Sequence, residues 1–327
     1  MKSTAHSDSS HPSQLRRALL AWYDQNQRDL PWRNTRDPYR IWISEVMLQQ
    51  TRVAAVILRY AAFLRRFPSV QKLASARESS VLAEWSGLGY YRRASNLHAA
   101  ARVIFGERDG NFPQEAEAWR ALPGIGRYTA AAIASIAFDE PVAVLDGNVE
   151  RVLRRLLGGT PANEELWIAA EDFLDRKRPG DFNQAMMELG ATVCLPRQPL
   201  CSECPIRKFC RTRGRGDSVT RKSLQQKRKI TYALARHQDS ILLVRRSKSH
   251  SLMPGMWELP ELASPIASDE PLFSIRHSIT VTDFKVQVVR RKNILAAKGS
   301  WVGIPRLTRL PLTGLARKIL RTAEIIQ

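Results

Sequence analysis

A mostly α N-terminal region, a basic linker and a smaller α+β domain make up the fold class predicted for this chain, on three observations. Apolar residues from Ser13 to Cys210 recur at helical spacing, and no strand-like alternation of any length interrupts them. From Arg211 to Lys229, eight Arg and Lys residues alternate with Gly, Ser and Thr, the composition of a tether. After Ile230 a period of two returns, clearest at Phe284, Val286 and Val288. The predicted layout is a disordered tail over 1–12, a helical domain over 13–210, the linker over 211–229 and a second domain over 230–327.

The elements are justified in turn. Met1 to Pro12 is rich in Ser and His, lacks an apolar pattern and is too short and polar for a targeting helix. Leu15, Leu19, Trp22 and Tyr23 form one helical stripe. Asp37-Pro38 predicts an N-cap with Pro at the first helical position, opening a helix through Ile41, Trp42, Val46 and Leu48. Asn148 is expected to cap another helix, with Val149, Val152, Leu153 and Leu156 on one face and Gly158 past its end. Beyond the linker, Ile230 to Arg236 and Ser240 to Val244 predict a hairpin around Gln238-Asp239, and Gly314 to Ile326 predicts a terminal helix.

The charge narrows the partners. Lys and Arg number 51 against 31 Asp and Glu, a net charge of +20. An excess of that size points to a polyanion, most often nucleic acid. An anionic membrane surface is the competing partner, but no basic amphipathic helix is distinctive enough to favour it. With no signal peptide and no apolar run of about 20 residues, the expected location is cytoplasmic.

All four cysteines fall in one stretch, Cys194, Cys201, Cys204 and Cys210, with the spacing C-x6-C-x2-C-x5-C. Such a run predicts the ligands of one metal centre, whereas disulfides are rare in a cytosolic chain. The spacing leaves zinc and an iron–sulfur cluster both open, since each accepts four thiolates.

Leu122-Pro123-Gly124-Ile125-Gly126-Arg127-Tyr128-Thr129-Ala130 joins two helical stretches. Gly124 and Gly126 flank one apolar residue in a tight turn, and the free backbone N–H groups near a helix start can hold a phosphate of any sequence. Leu122 and Ile125 would pin the turn, and Ala130-Ala131-Ala132 would let helices pack closely. Twenty residues after Gly126 comes Asp146, which alone would be a capping residue. A carboxylate at a helix start is also suited to face a developing cation. Glu45 shares a helix face with Ile41, Trp42 and Leu48, and a carboxyl among apolar groups has its pKa raised, as a general acid needs. Taken singly, Glu45 would be an ordinary solvated helix residue.

Together these features resemble the helix-hairpin-helix DNA glycosylases, and the cysteine run is similar to the cluster loop of their endonuclease III and MutY branches. Three segments resemble the MutY-type adenine DNA glycosylases: Ser44 to Thr51 (SEVMLQQT), Gly87 to Tyr91 (GLGYY) and Phe182 to Gly190 (FNQAMMELG). The resemblance covers Leu15 to Cys210. It implies a helix-hairpin-helix glycosylase fold with an iron–sulfur cluster loop, and a 4Fe-4S cluster held by the four cysteines in a structural role. It also implies removal of adenine opposite 8-oxoguanine or guanine from double-stranded DNA by base flipping, with a monomer as the default state.

The implied roles are these. Glu45 protonates the base and later helps to activate water; Asp146 stabilises the cationic sugar; Tyr128 supports both. Gln184, Trp32 and Arg33 line the pocket of the flipped adenine. Gln50 and Tyr90 fill or wedge the duplex, with Leu48 and Thr51 beside them on the DNA side, and Gly124 and Gly126 hold the backbone. The endonuclease III branch carries Lys where this chain has Tyr128. A phenol cannot form that lysine's imine, so base excision without strand cleavage is implied. The rivals are an endonuclease III-type glycosylase/lyase and a non-catalytic DNA-damage binding protein.

The second domain resembles a Nudix-like fold at Ile241 to Arg246 and Gly255 to Pro260. It lacks the paired Glu residues that would hold Mg²⁺, so pyrophosphohydrolase activity is not expected. The related enzymes read 8-oxoguanine with a Phe-Ser-His loop. Here His277-Ser278-Ile279-Thr280 stands instead, with Ser278 offered as the hydrogen-bonding serine; a strand-end pair without a ligand is the plain alternative for His277 and Ser278.

Overall fold

The computed structural model of the chain describes residues 10–214, 226–247, 249, 253–263, 269–279, 282–291 and 299–326. They pack into two compact units, one taking in 1–60, 69–71 and 99–219, the other 61–68, 72–98 and 220–327. One crossing between the units falls inside the expected linker, but residues 61–68 and 72–98 of the expected helical domain group with the second unit.

In chain order the helical elements are α1 (Ser10–Asn26), α2 (Pro38–Leu48), α3 (Val53–Arg66), α4 (Val70–Ala74), α5 (Glu78–Glu84), α6 (Arg92–Glu107), α7 (Ala116–Arg120), α8 (Arg127–Phe138), α9 (Gly147–Leu157), α10 (Asn163–Phe173) and α11 (Pro179–Thr192). Among the described residues, no helix is long and apolar enough to cross a membrane. The first helix begins at Ser10, inside the stretch expected to be a disordered tail; Leu15 and Leu19 are fully buried and anchor it, and chain ahead of them can continue the same helix.

In the first unit α2 opens as expected: the Asp37 carboxylate accepts from Tyr39 N and Pro38 takes the first position. It is buried on nearly every side, from Tyr39 and Ile41 through Met47, so it forms a central strut. The small residues of α8, Ala130 to Ala134 with Ile133, let it pack on α2 and α11. Helix α11 also packs on α1 and α9. Two glycines make these approaches possible. A Cβ at Gly180 would lie 2.6 Å from Ser135 O, and one at Gly190 would lie 2.6 Å from Asn148 Cβ. The cap of α9 is Asp146, not Asn148 as expected. Asp146 has extended backbone and accepts from Asn148 N and Val149 N, so the helix starts two residues earlier and Asn148 lies in its first turn.

The second unit adds the strands β1 (Gln226–Leu234), β2 (Arg236–His237), β3 (Ser240–Arg245), β4 (Trp257–Glu258), β5 (Glu261–Leu262), β6 (Glu270–Ile279), β7 (Thr282–Arg290) and β8 (Ser300–Gly303), then α12 (Ile304–Leu307) and α13 (Gly314–Thr322). One sheet has the order β5-β1-β7-β6; in the other, β3 pairs with β2, β4 and β8. The strand β1 begins at Gln226, so the last residues of the expected linker are paired, in parallel, from Gln226↔Thr282 to Leu234↔Arg290. The expected hairpin around Gln238 holds only for Arg236↔Ile241 and His237↔Ser240. The chain changes sheets at Ala235, because β1 spends its hydrogen bonds on β7 and β5. The terminal helix stops at Thr322, short of the expected Ile326, and Glu324 turns to φ 54°. Val286 and Val288 face the core as their alternation required, with Leu243, Leu312 and Ile319.

Candidate active site

Glu45 comes from the last turn of α2 and is 5 % exposed. Its carboxylate accepts a 2.8 Å hydrogen bond from the phenol of Tyr128, in the first turn of α8. The same hydroxyl lies 3.3 Å from the Met187 sulfur on α11. Burial is the main influence on Glu45 and raises its pKa to about 7, with Asp146 adding to the rise while Tyr128 and Arg33 oppose it. Burial and the neighbouring carboxylates push the Tyr128 phenol well above its ordinary value, so it stays a donor.

Asp146 is held differently. Its Oδ1 accepts from Asn148 N at 2.9 Å and Val149 N at 2.7 Å, and its Oδ2 from Asn148 Nδ2 at 3.0 Å. Burial raises its pKa, and these donors with the Arg151 guanidinium oppose the rise. The two carboxyls are thus unlike: one has a phenol for a donor and titrates near neutrality, while the other is wrapped in helix-terminal N–H groups that favour the anion.

Behind Asp146, Arg151 donates to Asn148 Oδ1, Gly190 O and Cys194 O. Gly190 also leaves room for Asn148, since a Cβ there would stand 2.6 Å from Asn148 Cβ and 3.0 Å from Asn148 O. The next cation, Arg155, donates to Cys194 Sγ at 3.2 Å and Leu195 O at 2.7 Å. These α9 guanidiniums meet the cysteine loop from within, whereas Arg207 and Lys208 of the loop are exposed. All four cysteines are unpaired and half-buried. Burial raises the thiol of Cys194, and raises Cys204 to about 11 with the other three cysteines contributing. Among the described residues, no three His, Cys, Asp or Glu side chains converge on a single-ion site. Arg213 N points at Cys210 Sγ from 3.4 Å, and a Cβ at Gly214 would stand 2.9 Å from Cys201 Sγ. Inward N–H donors and a side-chain-free position beside sulfur suit thiolates bound to a bulky cationic group.

The glycine turn forms as expected. Leu122 and Ile125 are buried, Gly124 has φ 75°, and Gly126 caps α8. Gly126 has φ −93°, and a Cβ there would meet nothing within 4 Å. Neither backbone strain nor internal packing requires glycine at 126, so the open space beside these amides is left for something outside the chain.

Other expected residues are dispersed. Leu48 ends α2, and Gln50, in the left-handed region at φ 54°, is exposed beside half-buried Thr51. The neighbouring Gln49, which the sequence did not single out, donates to Thr129 Oγ1 at 2.9 Å. Trp32 is 6 % exposed and packs edge-on against Tyr60, a wall rather than an open surface. Arg33 and Gln184 line a polar cleft of about 340 Å³ with Tyr23, Arg28, Asp29 and Asn34. Glu188 binds two of these lining residues, Arg28 at 2.7 Å and Arg33 at 2.6 Å, with its own side chain fully buried. Arg28 was not foreseen; its partner lies 160 residues away and nothing local marks it.

In the second unit, Tyr90 is 45 % exposed at φ 47°. Ser278, the last but one residue of β6, donates to Asp283 at 2.5 Å, and burial lowers the His277 pKa. Thr280 lies outside the described residues. Glu258 is tied to Arg246 at 2.7 Å.

A helical scaffold that sets one neutral-range acid beside one capped carboxylate, with a glycine turn opening outward, defines a helix-hairpin-helix protein with a two-carboxylate core. Residues 43–171 match the family model described as HhH-GPD superfamily base excision DNA repair protein. The structure of a thermostable thymine-DNA glycosylase is similar with a TM-score of 0.58 at 32 % identity, over 62 % of this chain and 96 % of that one. The chain belongs to the HhH-GPD superfamily. It is also 49 % identical over 223 residues to a human adenine DNA glycosylase, covering 64 % of this chain and 41 % of the relative, and 39 % identical over 299 residues to one from Arabidopsis thaliana, covering 76 % and 47 %. The chain thus spans about half the length of these curated relatives. A non-covalent endonuclease III–DNA complex shares the fold, with a TM-score of 0.53 at 22 % identity over 61 % of this chain and 95 % of that one.

Proposed function

We propose that this chain is a monofunctional adenine DNA glycosylase acting on adenine opposite 8-oxoguanine or guanine in duplex DNA. The observation that carries the proposal is the Glu45–Tyr128 pair: a buried carboxyl near neutral pKa, bonded to a phenol where a strand-cleaving relative would need an amine. The similarity to adenine DNA glycosylases from two kingdoms supports adenine as the base.

The chemistry follows from the two carboxyls. With adenine extruded, protonated Glu45 gives its proton to N7 of the base. The C1′–N9 bond breaks and its electron pair leaves with adenine. Asp146 faces the cationic sugar as an anion. Water adds to C1′ and returns a proton to Glu45, leaving an abasic site. Tyr128 keeps its proton throughout and fixes the acid's orientation.

The four cysteines would hold a 4Fe-4S cluster, which replaces the thiol protons with iron and crosslinks the loop 194–210. The N–H donors of Arg155 and Arg213 aimed at sulfur support that assignment. Purified protein should show an absorption band near the visible blue; colourless protein with stoichiometric zinc overturns the cluster. The C-terminal region would be Nudix-like and meet the opposite base, with Ser278 and its bonded Asp283 near the reading edge.

A duplex with one adenine opposite 8-oxoguanine, incubated and then heated in alkali, should break at that adenine. Intact strands under single-turnover conditions overturn the activity, and borohydride trapping of a covalent enzyme–DNA adduct overturns its monofunctional character. Gly126→Ala tests the turn. The melting temperature should not move, because the added methyl enters open space, while duplex binding weakens several-fold through loss of phosphate approach.

A further inference from the structure

The turn from Gly87 to Tyr91 is conformationally expensive. Gly87, Gly89 and Tyr90 have φ of 100°, 69° and 47°. Glycine tolerates such values, but an aromatic residue there is strained and persists only where its surroundings hold it. What holds it is visible within this unit. Fully buried Trp85 donates Nε1 to Gly89 O at 3.1 Å. Buried Tyr91 donates its hydroxyl to Leu312 O at 3.3 Å, pinning the end of the turn. Between these anchors lies Arg93. Its Nη2 donates to Leu88 O at 3.0 Å and Gly89 O at 3.1 Å. Its guanidinium stands 5.4 Å from the centre of the Trp85 ring and 5.5 Å from that of Tyr90.

We propose that Arg93 is a positioning residue for base extrusion: it holds the exposed Tyr90 ring in its left-handed conformation so that the ring meets the duplex preformed. This rests on the glycosylase activity proposed above. One planar guanidinium meets two rings while its Nη2 reaches two carbonyls; a lysine ammonium is a compact, strongly hydrated point charge that cannot lie flat against the rings and keep all four contacts at once. Burial lowers the Arg93 pKa to about 10, which leaves the cation intact at neutral pH. The side chain touches no reacting atom, so its effect must pass through Tyr90.

The test compares Arg93→Met and Arg93→Lys with the wild type, after melting curves confirm that each folds. Single-turnover excision of adenine opposite 8-oxoguanine should fall about tenfold or more in both. Excision from a single strand, where nothing must be unstacked, should change little. In a Tyr90→Ala background, Arg93→Met should cost nothing further. Full activity of Arg93→Lys, or losses that add in the double variant, overturn the proposal. A second measurement needs no DNA: with ¹³C-labelled tyrosine, the Tyr90 ring resonances should move toward random-coil values in Arg93→Met. Unmoved resonances overturn Arg93's role even if the wild type cleaves nothing, whereas moved resonances with an inert wild type defeat only the glycosylase activity.

Discussion

Glu45→Gln is expected to lower adenine excision roughly 10²–10⁴-fold while leaving duplex binding intact, because the amide cannot deliver a proton. The same change should make the protein harder to unfold in mild alkali. Glu45 has a pKa of about 7 when folded against 4.5 as a free side chain, so the fold favours its neutral form. That contribution is fully present below the unfolded value and is lost as pH rises through about 7. Near pH 8 the buried carboxylate therefore costs about 3 kcal/mol, which glutamine removes. Melting curves of the two proteins should separate by several degrees at about pH 8 and converge toward pH 5. Excision at the wild-type rate would refute the acid assignment; equal melting at both pH values would refute the raised pKa.

Glu188→Ala is expected to destabilise the protein by about 3–5 kcal/mol, among the largest single effects available in the first unit. Burial alone would raise the Glu188 pKa, but hydrogen bonds from Arg28 and Arg33 reverse this and bring it from 4.5 to about 2. Alanine leaves the Arg33 guanidinium, whose side chain is 8 % exposed, without the carboxylate that compensates it. The carboxylate's contribution is present above the unfolded value of 4.5 and fades as pH falls toward about 2, so the variant and wild type should draw together in acid. Urea unfolding at neutral pH measures the gap; a gap below about 1 kcal/mol would mean that the pair contributes no more than a surface bridge.

These two residues show how unevenly the site can be read from sequence. Glu45 stood out because it interrupts an apolar helix face and sits in a recognisable segment. Glu188 lay in another such segment, yet its partners are Arg28 and Arg33, and only the packing of α11 brings them together. Arg151 and Arg155 were missed for a related reason: on a helix of strongly sided character they look like ordinary solvated cations, and only the returning cysteine loop gives them partners. Asn148 was taken for the cap because it directly precedes the apolar stripe; the actual cap, Asp146, required backbone geometry to tell apart.

The sequence by itself determined the helical class of the first region, the α2 start at Asp37-Pro38, the glycine turn, the four-cysteine run and the two candidate carboxyls. Each is written in residues close together along the chain, where caps, turns and periodicity act locally. Tertiary structure alone decided that Tyr128 reaches Glu45 across 83 residues, that β1 runs parallel to β7, and that residues 61–68 and 72–98 group with the second unit. The physical reason is common to all three. Apolar faces and strand edges accept many partners, and which ones meet depends on the close packing of the whole chain rather than on any neighbouring residue.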